Sequence, residues 1–288
     1  MRACRRAVAP ITHLPGVGEN LQDHLQLRSV YKVSGAATLN TMLRQPLGKI
    51  RMGLQYLIDR SGPLSMAPSQ LGIFARSDPR QESANLQYHV QPLSLDRFGE
   101  PLHSFAAITA SVCNLRPSSR GHVRISGRDP KLAPIICPNY LSTEDDRSVA
   151  ASALSLTRRI LAQQAMQPFS PTELVPGVHV ASREALMTAA GDIGTSIFHP
   201  VGTCRMGNDP LAVVDARLRV HGVGRLRVVD ASIMPTITSG NTNSPTAMIA
   251  EKASRFILAD RRRGASSRPA RPTTLDAPVV DWTTTAPQ

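Results

Sequence analysis

Apolar residues recur at three- and four-residue steps in several stretches of the chain, a spacing that predicts amphipathic helices. One stretch runs from Leu39 to Asp59 and ends at a Ser-Gly-Pro turn. Another follows residues 142–145, Ser-Thr-Glu-Asp, a variant of the capping box in which a hydroxyl and an acid satisfy the free N–H groups of a first helical turn. Further helices are predicted at Ser182–Ala190 and Ser244–Ala259, the latter with Ser244 as its N-cap and Pro245 in its first turn.

Other segments alternate apolar and polar residues between Pro, Gly or Ser, a pattern typical of strands in an antiparallel sheet with one covered face. These segments are Gly72–Ala75, Leu86–Val90, Phe105–Val112 and His122–Ile125. A short apolar strand, Leu226–Val229, is also predicted shortly before the last helix.

The 288-residue chain is 41% hydrophobic, which is ordinary for a globular protein of one or two domains. No run reaches the roughly 18 consecutive apolar residues of a membrane span. The basic N-terminus is followed by no apolar region long enough for a signal peptide. We therefore expect a cytoplasmic protein without a membrane span.

The formal net charge of +12 raises the question of nucleic-acid binding. Only four of the 33 basic residues are lysines, and the arginines are dispersed, which is typical of a solvated surface rather than a phosphate-binding stripe. The one cluster, Arg261–Arg263, follows the predicted last helix, where the helix dipole favours cations. Nucleic acid is thus the least favoured partner. The four cysteines lack any zinc-binding spacing, so we expect free thiols and no metal site.

Candidate chemistry is concentrated in two C-terminal segments. Residues 198–207, Phe-His-Pro-Val-Gly-Thr-Cys-Arg-Met-Gly, place His199 in a glycine-bounded turn, and residues 240–245, Gly-Asn-Thr-Asn-Ser-Pro, open the last helix. A neutral imidazole with a pKa of about 6.5 can accept a hydroxyl proton at physiological pH. A histidine before proline can equally be structural, Asn241 can be a turn residue, and Asp230 can cap a turn.

Together with residues 15–24, Pro-Gly-Val-Gly-Glu-Asn-Leu-Gln-Asp-His, and the strand ending at Asp230, these segments resemble the glucose–methanol–choline (GMC) family of FAD-dependent alcohol oxidoreductases. The resemblance spans about residues 14–258. It implies that His199 is the general base and that Asn241 binds the substrate oxygen, as in choline and alcohol dehydrogenases. The cofactor contacts that it implies for FAD are Asp230, Ala231, Asn241, Thr242 and Asn243.

The implied fold is α/β, with an α+β substrate domain whose antiparallel sheet is backed by helices, plus the C-terminal strand–helix return of a flavin-binding domain. The implied division is a remnant or junction of the FAD-binding domain at 1–24, a substrate-binding domain at 25–195, an FAD-domain return with the active-site residues at 196–262, and a disordered tail at 263–288.

Gly16 and Gly18 form no dinucleotide fingerprint, because Leu21 occupies the third glycine position and no apolar strand precedes them. The chain is therefore expected to be the second half of an enzyme, and the N-terminal FAD-binding half is a candidate partner. Weaker candidates for the substrate side are Ser69, Gln70 and the run Gln87-Tyr88-His89. Asn20, Asp23 and His24 are weaker candidates for fastening a domain junction.

The leading hypothesis is FAD-dependent oxidation of a choline-like or primary alcohol to an aldehyde. The hydride would pass to flavin N5, with a final acceptor other than NAD or oxygen. Two alternatives remain open. One is a flavin-containing lyase of the same fold that uses the same histidine, and the other is a truncated remnant without cofactor or activity.

Overall fold

The computed structural model describes residues 12–67 and 69–266. The helices are α1 (Leu39–Arg44), α2 (Gly48–Asp59), α3 (Glu144–Leu161), α4 (Arg183–Ile193) and α5 (Asn243–Ser266). The strands are β1 (Leu25–Lys32), β2 (Leu71–Ala75), β3 (Leu86–Gln91), β4 (Ala107–Asn114), β5 (His122–Arg124), β6 (Ile135–Cys137), β7 (Thr172–Val175) and β8 (Gly194–Ser196). The predicted mixed class, an antiparallel sheet with helices, is confirmed.

One antiparallel sheet organises the molecule. Its strand order is β2-β3-β4-β1-β7, and β8 also pairs with β1. Side chains alternate between the two faces of the sheet. One face carries Leu27, Leu86, Tyr88 and Val112, which form a buried core with residues of α3 and α4, including Leu154. The apolar positions of these strands are therefore explained by the helices that cover them.

The opposite face of the sheet is polar and still largely buried, and we call it the polar face. The strand registers align its residues in two rows, Gln26–Cys113–Gln87 and Arg28–Ser111–His89. Neighbouring strands lie about 4.8 Å apart, so the outer members of a row are about 10 Å apart at their Cα atoms. Every second position of β3 and β1 thus presents a polar group to the same side.

A second apolar core lies in residues 201–253 and contains Val213, Val214, Leu218, Ile237 and Ile249. Isolated bridges, not strands, join its segments. The predicted strand Leu226–Val229 is wrong: within the described residues only Arg227 makes a bridge there, to Arg219. Leu226 is half exposed. Residues 218–220 lie beside this segment, but only two backbone hydrogen bonds join them, from the Val228 N–H to the Leu218 carbonyl and from the Val220 N–H to the Leu226 carbonyl. A ladder needs a longer run of such bonds.

Of two helices predicted from apolar spacing, one is divided in the structure and the other is confirmed. The helix predicted over 39–59 is interrupted between α1 and α2 at Gln45-Pro46-Leu47, because proline has no N–H to donate to the preceding turn. The helix predicted from Ser182 is confirmed, since the Ser182 hydroxyl accepts from the Ala185 N–H and α4 follows.

The last helix begins at Asn243, so the prediction of Ser244 as its N-cap is wrong. The Thr242 carbonyl accepts the first backbone bond, from the N–H of Thr246 at 3.0 Å. The helix continues to Ser266, which places Arg261–Arg263 inside it and contradicts the predicted disorder for residues 263–266. The remainder of the predicted tail, 267–288, lies outside the described residues.

Candidate functional site

His199 is held by the segment that precedes β1. The His199 N–H donates to Asp23 Oδ1 at 2.9 Å, and Gln22 and Val201 exchange backbone hydrogen bonds of 3.0 and 2.9 Å. The preceding residue, Phe198, has a left-handed φ of 65°, and its N–H donates to the Ser196 hydroxyl at 2.9 Å. The backbone around His199 is therefore fixed from both sides, and the side chain is only 8% exposed.

The His24 and His199 rings are hydrogen-bonded to each other, Nδ1 to Nδ1, at 3.0 Å. The other ring nitrogen of His24, Nε2, lies 3.2 Å from the Leu115 carbonyl oxygen. A carbonyl oxygen only accepts, so His24 carries its proton on Nε2 and presents a lone pair at Nδ1. His199 must then donate from Nδ1, which leaves a lone pair on its Nε2. This tautomer is the one that a proton acceptor needs.

Burial keeps both rings neutral. Desolvation, reinforced by the neighbouring His199, lowers the pKa of His24 to about 4. Desolvation also lowers the pKa of His199 below its ordinary value, while the nearby Asp23 carboxylate acts in the opposite direction. Neutral imidazole is thus favoured at physiological pH, and a carboxylate is close enough to stabilise a proton taken up by His199.

Asp23 is itself fixed by three donors. Its Oδ2 accepts from the Tyr140 and Ser196 hydroxyls, each at 2.5 Å, and its Oδ1 accepts from the His199 N–H. The donors come from two separate parts of the chain, Tyr140 and the segment 196–199. Asp23, whose role the sequence did not decide, therefore joins the residues before β1 to those after β8.

Asn20 and Gln22 hold the segment that leads to Asn241. Asn20 Nδ2 donates to the Pro235 carbonyl at 3.2 Å, and Gln22 Nε2 donates to the same oxygen at 3.1 Å. Gln22 Oε1 accepts from the Ile237 N–H at 3.2 Å. Gly202 packs so closely here that a Cβ would lie 2.4 Å from the Asn20 carbonyl oxygen. The residues 20–24 therefore position both candidate segments.

Asn241 lies beside the polar face. Its Oδ1 accepts from Gln87 Nε2 at 2.9 Å. Gln87 Oε1 and His89 Nε2 are buried without a hydrogen-bond partner. The pKa of His89 is lowered by burial and by the neighbouring His199. The structure thus brings Gln87, His89, His199 and Asn241 to one region. The alternation of polar residues on β3 is the sequence signal for Gln87 and His89.

The other residues predicted to contact a cofactor lie at the start of the 3-10 helix at 231–233 and at the start of α5. Asp230 Oδ1 accepts from the Ser232 N–H at 2.8 Å and caps the 3-10 helix Ala231–Ile233. Thr242 is buried and Asn243, the first residue of α5, is exposed. The first turn of α5 contains no acidic residue, so its free N–H groups and positive dipole end face outward without a compensating charge.

These features fit a planar cofactor with a polar edge that becomes anionic on reduction. Besides the N–H groups of α5, the buried Thr238 hydroxyl has no hydrogen-bond partner among the described residues. Both kinds of donor flank Asn241 in the sequence, three residues before it and two residues after it. The donors can bind an anionic ring edge, and His199 can accept a proton from a molecule placed between that ring and the imidazole.

Neither a metal site nor a membrane helix is found in the described residues. No group of three or more His, Cys, Asp or Glu side chains there could hold a metal ion. None of the helices in residues 12–67 and 69–266 is both long and apolar enough to cross a bilayer. Cys113, Cys137 and Cys204 are free thiols, whereas Cys4 lies outside the described residues.

Curated proteins that align with most of this chain are named choline dehydrogenases. The chain is 38% identical over 266 residues to the oxygen-dependent choline dehydrogenase of Proteus mirabilis (strain HI4320), covering 91% of this chain and 46% of that protein. The chain spans about half the length of the curated relatives it matches.

Two solved structures share the fold. Pyridoxine 4-oxidase from Mesorbium loti is 29% identical with a TM-score of 0.73, and the match covers 90% of this chain and 46% of that one. A formate oxidase of Aspergillus oryzae RIB40, studied for its FAD modification, is 22% identical with a TM-score of 0.82, covering 91% and 51%.

A family model described as GMC oxidoreductase matches residues 117–250, the part of the chain that contains His199 and Asn241. Because this match agrees with the relatives that align along nine tenths of the sequence, the chain belongs to the GMC oxidoreductase family.

Proposed function

We propose that this chain provides the substrate-side chemistry of an FAD-dependent oxidation of a primary alcohol to an aldehyde. The observation that carries the proposal is the hydrogen bond between His24 and His199, which leaves Nε2 of His199 as a proton acceptor. The names of the curated relatives, which are choline dehydrogenases, support the same reaction class.

In the proposed reaction, His199 Nε2 accepts the proton of the substrate hydroxyl while the carbinol carbon becomes a carbonyl. FAD, when bound, supplies the acceptor for the two electrons and the hydrogen that leave this carbon. The new charge on His199 is stabilised by Asp23, whose carboxylate accepts from the His199 N–H at 2.9 Å. Proton acceptance therefore occurs next to a fixed negative charge.

Asn241 and His89 are proposed to orient the substrate oxygen. Gln87 binds the Asn241 carbonyl oxygen at 2.9 Å, so the amide NH₂ of Asn241 is directed away from Gln87 and can donate to the substrate. His89 Nε2 is buried and has no hydrogen-bond partner within the described chain, which makes it a second group available to the same oxygen. Correct placement of the reacting atoms is worth several orders of magnitude in rate.

Binding of the cofactor is proposed to involve residues 230–231 and 241–243 of this chain together with a second polypeptide segment. The chain covers 46% of its relative, and two large apolar side chains of the segment 196–262, Leu226 and Met248, are at least half exposed. We propose the same division as above, with 25–195 as the substrate-binding domain and 196–262 as the return into the FAD-binding domain. The missing contacts would come from an N-terminal FAD-binding half.

Reduction of FAD by a primary alcohol tests this proposal. The chain is incubated anaerobically with FAD and an alcohol, with and without the N-terminal half of a relative, and the flavin absorbance is followed. The His199→Gln variant retains a hydrogen-bonding group but no base, so bleaching should slow about 100-fold or more. His179→Gln, at an exposed position, is the matched control.

The rate should also rise with pH through a pKa below 6.5, since only neutral His199 accepts the proton. Equal bleaching rates for the wild type and His199→Gln would reject His199 as the base. Absence of bleaching even with the N-terminal half present would reject the oxidoreductase function.

A further inference from the structure

The polar face contains a buried arginine without a charged partner. Arg28 is 8% exposed, and its Nε and Nη2 atoms are buried without a hydrogen-bond partner in the part of the chain that the structure describes. Its guanidinium stacks on the Phe98 ring, 4.3 Å from the ring centroid. Burial lowers the pKa of Arg28, yet a guanidinium stays charged at physiological pH. An unpaired buried cation is unfavourable for folding, which calls for a functional reason.

Arg28 lines a cavity of about 580 Å³, large enough for a small organic molecule. Most of the remaining wall is apolar, with Phe98 and Phe198 at the rim and Val30, Val175 and Ile193 deeper in the lining. The two phenylalanine rings lie 6.0 Å apart at their centroids. The cavity therefore combines an apolar body with one buried positive charge.

The carboxylates in this cavity do not offset that charge. Asp96 and Asp192 both line it, but both are exposed, and Asp96 accepts from His103 Nε2 at 3.1 Å. Because water screens exposed charges far more than buried ones, the field inside the cavity is dominated by Arg28. The face of Phe98 is already occupied by the guanidinium, so it is not free to bind a second cation.

The cavity adjoins the candidate active site through one residue of its wall. Phe198, which lines the cavity, directly precedes His199 in the chain. On the sheet, Arg28 and His89 belong to the same row, about 10 Å apart at their Cα atoms. A molecule with its hydroxyl at His199 and an acidic group some carbon atoms away can therefore reach Arg28.

We propose that the 580 Å³ cavity binds the carboxylate end of the substrate through Arg28, so that the enzyme acts on alcohols that carry a carboxylate on an apolar body rather than on a quaternary ammonium alcohol. This inference rests on the proposed function for the fate of the hydroxyl, but the carboxylate site itself can be tested without turnover.

The experiment is calorimetric titration of the chain, without added FAD, using three small molecules of known charge. The probes are 4-(hydroxymethyl)benzoate, its neutral analogue 1,4-benzenedimethanol, and choline. The benzoate should bind at least about tenfold more tightly than the neutral analogue, since a charge-assisted hydrogen bond distinguishes them, and choline should bind more weakly than both.

Arg28→Met should abolish the preference for the benzoate, and Arg28→Lys should keep part of it. Arg44→Gln, at an exposed position outside the cavity wall, should leave it unchanged. Arg28→Met should be at least as stable as the wild type in urea, because an apolar side chain replaces an unpaired buried charge.

Equal affinities for the benzoate and its neutral analogue in the wild-type chain would overturn the inference, as would a preference that survives in Arg28→Met. A failure to bind the benzoate would overturn it too. Tight benzoate binding without FAD reduction by any alcohol would instead leave the carboxylate site standing and reject the proposed function.

Discussion

Burial decides the charge of the histidines that surround the site. His24, His89 and His199 all have lowered pKa values, and desolvation is the largest cause in each case. A neutral imidazole both donates and accepts, which is what the directed contact from His199 to His24 requires. Two imidazolium rings at that distance would repel each other. The hydrogen bond between the two rings therefore requires that the accepting ring, His24, is neutral.

We predict that His24 makes the protein acid-sensitive. Its pKa in the folded chain is about 4, below the value of 6.5 for an unfolded histidine. The unfolded state thus binds more protons between these values, and the stability falls as the pH is lowered from 6.5 to about 4, by about 3 kcal/mol in total. Urea unfolding at pH 7 and pH 4.5 measures this change.

In His24→Gln the pH-dependent loss of stability should shrink by most of that amount, whereas the exposed His179→Gln should keep the wild-type dependence. Identical pH dependence in His24→Gln and the wild type would contradict the lowered pKa of His24.

The sequence could single out His199 and Asn241 as candidates because each lies in a short local motif. It could not assign a role to His24, whose partner is 175 residues away, since a tautomer is fixed only by tertiary contacts. Arg28 was missed for the same reason. Its significance depends on the absence of a partner in the folded chain, which no local pattern reveals.

Among the elements, α3 contributes most of the apolar cover of the sheet. Its N-terminus is capped by the Thr143 hydroxyl, which accepts from the Asp146 N–H, and its first turn contains three acidic residues that suit the helix dipole. Val149, Ala153 and Leu154 then pack on the sheet. Small alanines at many of the inward positions let the helix lie close to the strands.

We predict that Leu154→Ala destabilises the chain by about 2–5 kcal/mol, because Leu154 is 1% exposed and its removal leaves a cavity between α3 and the sheet. In urea unfolding, the midpoint concentration should fall, while the dependence of the free energy of unfolding on urea concentration stays unchanged. Ser155→Ala, at the next and exposed position, should alter stability by less than about 0.5 kcal/mol. A similar loss in both variants would argue against the packing of α3 described above.

The elements were predictable where one local cause determines them. Amphipathic spacing and a hydroxyl cap located α3 and α4, and alternation located β2, β3 and β4. The prediction of a strand at Leu226–Val229 was wrong because a strand also depends on regular pairing with a neighbour. Apolar composition alone does not provide that pairing. The break at Pro46 was hidden by leucines that continue the helical spacing across it.

At the scale of the whole molecule, one side of α2 forms an exposed apolar surface. Leu47, Ile50, Leu54, Leu57 and Ile58 are each more than half exposed and recur at helical spacing. Monomeric proteins rarely leave such contiguous apolar area in water. This face, which we call the apolar α2 face, should therefore promote association of the isolated chain.

We predict that the apparent mass of the chain increases with protein concentration in light scattering, and that Leu54→Glu combined with Ile58→Lys returns it to that of a monomer. The two substitutions form a favourable i, i+4 ion pair on the helix and leave the net charge unchanged. Arg51→Gln on the same helix is the matched control and should associate like the wild type. Concentration-independent mass in the wild type would contradict the prediction.

The pairing of residues 20–24 with residues 199–202 and 235–237 also has a consequence for folding order. These contacts join residues about 175 to 215 positions apart in sequence. Because they close long loops, we expect them to form late in folding. During synthesis, the strands around β4 can pair well before residue 199 leaves the ribosome. The tautomer of His199, with its lone pair on Nε2, would thus be fixed only after the rest of the substrate side has formed. In a partly folded chain the proton of His199 is free to occupy either ring nitrogen.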